Sequence, residues 1–350
     1  MKILKTNLLA LSAILIMGCG SDPIEPSVNP TGGDWLVNAN EVFDGGPGKD
    51  GIPSVDSPVH INVADVDFQA DNDLVDVVYY DGAPVAYGHQ ILDWHEIVND
   101  NRNGISVAVT YCPLTGTGIG WSRMVNGSET EFGVSGLLYN TNLIPFDRNS
   151  DSNWSQIRQD CINGDLIGET IDQVQLIEMR WDAFKEGFPD AVAISEDTGF
   201  TRDYNAYPYG DYRTNNDRLL FPVNSADTQL PRKERVLGVL DGADVTVFTF
   251  DVLEMNNGII HTTIGERNII VFGERSRNFI NAMEIPASDV GNYRYDSGMF
   301  PNVLVHNDDT RYNLFGDNTD AEGEDLAYAA NYIGYYFSFP AFFDVVTVFE

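Results

Sequence analysis

The segment Val75–His89, VDVVYYDGAPVAYGH, has an echo in Val236–Phe250, VLGVLDGADVTVFTF. In both, a run rich in β-branched residues meets Asp-Gly-Ala and a second such run follows. Asp-Gly between runs of this kind marks a tight β-hairpin, because both turn residues reach positive φ at little cost. Polar residues then lead to a further β-rich run, Ser106–Tyr111 in the first copy and Asn268–Phe272 in the second. This is the pattern of a diverged internal duplication. The expected fold class is α+β, mostly antiparallel β with a few short helices, in two diverged related halves.

The rest of the chain fits this frame. Val59–Ala64, Leu74–Tyr80 and Val85–Tyr87 read as strands. Ile91, Trp94, His95 and Val98 fall on one helical face and predict a short helix over Ile91–Val98, with His95 on its buried side. Ile105–Cys112 is a strand stopped by Pro113, and Gly118–Met124 a second. Met179–Phe188 is a second short helix, ended by Pro189. Phe43–Pro58 is an ordered Gly/Pro-rich loop, Leu143–Gln156 is loop-like, and residues 199–218 are tyrosine-rich and irregular. Gly116–Trp121 lacks a dinucleotide loop's third glycine, and Gly133–Leu137 a nucleophile elbow's second. Both read as tight turns.

The N-terminus predicts export. Lys2 and Lys5 precede the apolar run Leu8–Met17, too short to span a bilayer, and Gly18-Cys19 completes a lipoprotein-processing pattern. Residues 1–18 are expected to be removed and Cys19 lipidated. Residues 19–33 form a tether, 34–225 a first lobe and 226–350 a second lobe carrying the diverged repeat. The expected location is the bacterial cell envelope, lipid-anchored to a membrane and facing periplasm or exterior. The sequence holds 20 Lys+Arg and 53 Asp+Glu; loss of Lys2 and Lys5 leaves 18 against 53, a net charge of −35. That excess of acid argues against nucleic acid, whose phosphates need basic partners, and serves solubility.

The candidate chemistry lies between His95 and Cys161. His95 stands beside Glu96, and Cys112 at the end of its strand. Ser135 lies in the Gly133–Leu137 turn, and Asp147, Arg148 and Trp154 on the following loop. These are the candidate ligand-binding residues. Cys112 and Cys161, the cysteines left after Cys19, suit a disulfide, two buried thiols, or a metal or redox role. His95 and Cys112 are the candidate ligands of a divalent metal, with Glu96 or Asp100 as orienting carboxylate. Asn99–Gly104 and Asn318–Gly323 mimic calcium loops, but both lack the closing glutamate.

The ordered motifs DGGPGKDGIPSVDSP, HEIVND, TYCPL, FGVSGLL, DR…SNWSQ and RVLGV resemble the bacterial family known as domain of unknown function 3179, from about Phe43 to about Met283. The resemblance implies an exported or membrane-attached protein and brings no activity. Many relatives carry a second cysteine after TYCPL; Thr115 holds that position here, so a dithiol within this turn is impossible and Cys161 is left as partner for Cys112. The function expected first is non-enzymatic, a lipoprotein binding a ligand or partner through His95, Cys112 and Asp147–Trp154. The alternatives are a metal- or thiol-dependent enzyme using His95 and Cys112, and a purely structural surface domain.

Overall fold

The computed structural model describes residues 27–28, 33–320 and 323–350. The expected signal peptide, Cys19 and most of the tether lie outside the described residues, as does part of Asn318–Gly323. Among the described residues no helix is long and apolar enough to cross a membrane.

Strands dominate, joined by few short helices. The first half starts with the hairpin Leu74–Tyr80 and Ala83–Gly88, followed by the helix His89–His95 and the meander Ile97–Arg102, Ile105–Cys112 and Thr117–Ser122. After an insertion, Gln173–Val174 pairs with the last meander strand and Leu176–Arg180 with the first hairpin strand. The helix Trp181–Gly187 then leads to Val192–Ile194, which lies parallel to the second hairpin strand.

The second half repeats this order. The hairpin Arg235–Asp241 and Asp244–Thr249, the helix Phe250–Met255, and the meander Ile259–Ile264, Arg267–Glu274 and Phe279–Ile285 come first. Ala327–Tyr328 then pairs with the last meander strand, Asn331–Tyr335 with the first hairpin strand, and Val345–Val348 runs parallel to the second. The duplication therefore includes the closing strand–helix–strand units, which have no visible echo in sequence. The insertions differ. The first half builds a sheet that includes Val42–Asp44, Phe132–Tyr139 and Asn142–Asp147, and the second a small sheet of Tyr293–Tyr295, Leu304–His306 and Arg311–Tyr312.

The structure shifts the duplicated turn by one residue. In the first hairpin Tyr80 faces Ala83 and the turn is Asp81-Gly82, with φ of 48° and 82°. In the second Asp241 faces Asp244 and the turn is Gly242-Ala243, with positive φ at Gly242. Asp241 is thus a strand residue. The first helix spans His89–His95 rather than Ile91–Val98. The chain leaves it at Glu96, in the left-handed region at φ 58°, and Val98 joins a strand. Asn142–Asp147, expected as loop, is also a strand. Pro145, which cannot donate to a ladder, pairs with Val134 beside a bulge that interrupts the pairing.

The two halves share hydrophobic clusters. One joins Ile97, Trp121 and Trp154 to Val236, Tyr332 and Phe339. Another joins Val75, Met179 and Trp181 to Phe272, Phe279 and Leu314. The contacts are reciprocal: Thr117–Ser122 packs on Asn331–Tyr335, and Phe279–Ile285 on Leu176–Arg180. The corresponding elements of each half thus meet around a pseudo-two-fold axis.

Candidate functional site

Beside that axis Asp76 and Glu178 face each other across one rung of the first-half sheet. Both are buried. Like charges directly opposite on adjacent strands repel, and burial strengthens the repulsion. A histidine and an arginine face them. His89, the first residue of its helix, places Nε2 3.2 Å from Asp76 Oδ1 and 3.6 Å from Glu178 Oε2. Arg235, at the start of the second-half hairpin, donates to Glu178 Oε2. Asn278 Nδ2 donates to Glu178 Oε1 at 2.8 Å. Burial opposes protonation of His89, but the Asp76 charge and hydrogen bond, together with Glu178, outweigh it and raise the imidazole pKa.

The glycines of Gly116-Thr117-Gly118 make room for these charges. A Cβ at Gly118 would lie 2.3 Å from Asp76 Oδ2, and one at Gly116 2.7 Å from Arg235 Nη1. Asp76 Oδ2 itself is buried without a hydrogen-bond partner. A cavity of ≈ 10 Å³ lies beside it, lined by Asp76, Gly118, Glu178, Ile280 and Asn331 among others.

The second half shows what this position looks like without charge. Its equivalent rung pairs Leu237 with Ile333. The first residue of its helix is Phe250, and Ile280 follows the turn that corresponds to the one before Gly118. Leu237, Phe250, Ile280 and Ile333 belong to one apolar cluster. The same architecture therefore closes over hydrocarbon. The charges in the first half are not a requirement of the fold.

His89 also lines a cleft of ≈ 510 Å³ whose walls include Phe68, Asn72, Gln90, Asp93, Tyr207 and Arg213. The tyrosine-rich segment 199–218 forms one wall and is fastened to the helix–turn–strand unit beneath. Tyr204 OH bonds His95 Nε2 at 2.7 Å, Tyr209 OH donates to Glu96 Oε1 at 3.0 Å, and Tyr212 OH donates to the Leu114 carbonyl at 2.8 Å. Arg213 lies over the Tyr207 ring, 3.5 Å from its centroid, and donates to Asp93 Oδ2 at 2.6 Å. Burial raises the Asp93 pKa against the pull of Arg213. Asp93 Oδ1, Gln90 Nε2 and Tyr207 OH have no hydrogen-bond partner.

The residues expected to carry chemistry serve other ends. His95 is buried, with Nδ1 on the Pro53 carbonyl at 2.8 Å and Nε2 on Tyr204; burial lowers its pKa. Cys112 donates to the Thr141 carbonyl at 3.7 Å and Cys161 to the Asn163 carbonyl at 3.4 Å. His95 and Cys112 are therefore engaged separately and do not form a shared ligand pair. The disulfide is not formed either: both cysteines are free and buried. Thr115, in place of the second motif cysteine, bonds Thr117 at 2.9 Å and accepts from Asn142 at 2.9 Å within a buried polar network.

Ser135 donates to the Ile144 carbonyl and accepts from the Leu137 amide at 3.0 Å, fixing the bulge. Asp147 accepts from Ser150 N at 2.7 Å and from Trp154 Nε1 at 3.1 Å, and Trp154 is buried. Arg148 donates to both oxygens of Asp50, at 3.1 and 3.0 Å, while Lys49 pairs with Asp151. The Asp147–Trp154 segment is a clasp that holds the Gly/Pro-rich loop. Asn99–Arg102 is strand, and its turn Asn103-Gly104 has φ of 53° and 80°, a hairpin turn rather than a calcium loop.

Burial raises the thiol pKa of both Cys112 and Cys161 to about 11. A thiol reagent at pH 8 is therefore expected to leave both unmodified in native protein and to titrate both once it is unfolded. Fast modification of either native thiol would contradict this placement.

Sequence reasoning missed Asp76, His89, Glu178 and Arg235. A signal was present: Asp76 and Glu178 are lone acids inside the apolar strands LVDVVYY and LIEMR. Arg235 lies in the RVLGV motif but gains meaning only across the interface of the halves.

A family model described as "Protein of unknown function (DUF3179)" matches residues 49–345, reaching through the second half. No curated protein matches the chain, and no solved structure does.

Proposed function

We propose that this chain, which belongs to that family, is a cell-envelope lipoprotein, anchored through Cys19, that captures a small polyhydroxylated ligand in the cleft over His89–His95. The observation that carries the reading is the cleft lining itself, in which Asn72, Gln90, Asn205 and Tyr207 stand beside the rings of Phe68 and Tyr204. A ligand that both donates and accepts hydrogen bonds suits a lining of amides and hydroxyls. The rings of Phe68, Tyr204 and Tyr207 offer apolar faces beside these groups, the combination expected of an orienting small-molecule site. The cleft's ≈ 510 Å³ falls within the usual range for such sites. Amide and hydroxyl groups outnumber free charges along it, which favours a neutral sugar-like molecule over an ionic one.

Thermal-shift and calorimetric titration of the mature protein with a panel of saccharides and polyols tests the proposal. One or more members should raise the melting temperature in a concentration-dependent way. Tyr207→Phe and Gln90→Leu should each weaken binding by about tenfold, as expected for loss of one hydrogen bond at about 1.4 kcal/mol. A panel that leaves wild-type protein unshifted, or a ligand indifferent to both variants, overturns it. Anchoring is read separately, since Cys19→Ala should move the protein from the membrane to the soluble fraction.

A further inference from the structure

We propose that Asp76, His89 and Glu178 form a binding site for one first-row divalent cation. One ligand atom from each residue lies within 4.8 Å of the others, and no other group of three His, Cys, Asp or Glu side chains converges this way among the described residues. His89 Nε2 stands 3.2 and 3.6 Å from the two carboxylates. Ligand atoms about 2.0–2.2 Å from a shared ion are separated by roughly 3–3.6 Å, which both histidine–carboxylate separations match.

Convergence of two acids and a histidine is not enough by itself, because an ion-pair network has the same composition. Two independent observations point to a ligand. Asp76 Oδ2 is buried and unpartnered, and it borders the cavity beside Gly118 and Glu178. The second half fills the same rung and helix start with Leu237, Ile333 and Phe250. The fold thus accommodates hydrocarbon at these places, so packing alone does not account for the charged set.

The surroundings suit a metal site. Ligating carboxylates are commonly held by outer hydrogen bonds; Glu178 is held by Arg235 and Asn278. Arg235 also offsets part of the negative charge, leaving two carboxylates and one guanidinium for a dication. One imidazole nitrogen with carboxylate oxygens favours manganese, iron, cobalt or zinc over calcium, which takes oxygen ligands alone, and over thiophilic ions. Of the three, His89 alone lines the cleft. This inference does not rest on the cleft ligand.

The test strips the mature protein with a chelator, then dialyses it against Mn(II), Co(II) or Zn(II) and measures bound metal. One equivalent is expected for wild-type protein. Asp76→Asn and His89→Gln should each lower affinity by about 100-fold or more, whereas Glu96→Gln, a buried acid outside the set, should not. In wild-type protein Co(II) should broaden the His89 ring resonances and spare those of His261 and His306, a readout that holds even if a variant fails to fold. Less than a fifth of an equivalent bound, unchanged affinity in both ligand variants, or broadening at another histidine instead of His89 overturns the proposal. Saccharide titrations of the metal-free protein report the cleft separately, so either reading can fail alone.

Discussion

Arg235→Met is expected to lower the free energy of unfolding by about 3–5 kcal/mol, the usual cost of breaking a buried ion pair from one side. The substitution leaves Asp76 and Glu178 facing each other across a buried rung, with only His89 beside both. Methionine retains most of the side-chain length, so the loss reports charge more than packing. The companion variant replaces the whole set: Asp76→Leu, His89→Phe, Glu178→Met and Arg235→Met. These bring the set close to the arrangement the second half already uses, with Leu237, Phe250 and Ile333 at the equivalent places. Its stability should equal or exceed wild type, because removing the desolvation penalty of a buried ion network outweighs the roughly 1–3 kcal/mol cost of the added volume. Denaturant titration of both variants decides the matter. If the fourfold variant is as unstable as Arg235→Met, the charges are structural, and the inference drawn from the duplication fails.

Stability is expected to fall between about pH 4.5 and pH 7 through Glu96, by on the order of 3 kcal/mol. Burial raises the pKa of this carboxyl from 4.5 to about 7, against the Tyr209 hydrogen bond, which lowers it, and with Asp93, which raises it further. Below about pH 4.5 the group is protonated in both folded and unfolded chain, and its contribution is fully present. As pH rises, the unfolded chain releases the proton first, and stability is lost until the folded pKa is passed. Glu96→Gln should remove that part of the slope and leave the variant more stable than wild type at pH 8. The difference between the two proteins isolates Glu96 from the other carboxylates. A difference that stays constant from pH 4 to pH 8 would show that the side chain is not held in a dry, neutralising setting.

Much of the architecture was legible. Leu74–Tyr80 and Ile105–Cys112 form the strands expected of them, since period and β-branching are local properties. The helix around His95 has shifted bounds, and although Ile91 and His95 are buried as their spacing predicts, so is Asp93, while Trp94 is only half-buried. Gly88 starts it and the left-handed Glu96 ends it, and Glu96 gives no glycine-like signal of a stop. Asn142–Asp147 was hidden by Pro145, which is tolerated only because its partner strand is bulged there. The candidate site was read from the most conspicuous residue types. Histidine beside glutamate, two cysteines and an Asp-Arg-Trp loop attract attention, yet each found a packing partner. The less conspicuous Asp76 and Glu178 were passed over inside their strands.

The sequence by itself determined the duplicated hairpin, the β-rich class and the family, because turn residues and alternating apolar runs act over a few positions. It could also show that the first copy differs from the second. The tertiary structure alone decided what the difference means. Asp76 and Glu178 are far apart in the chain and become neighbours through strand pairing, His89 reaches them from the start of a helix, and Arg235 arrives from the other half. A charge in a strand is unremarkable until its partner across the rung is known, because electrostatic cost depends on separation and burial rather than on position in the chain.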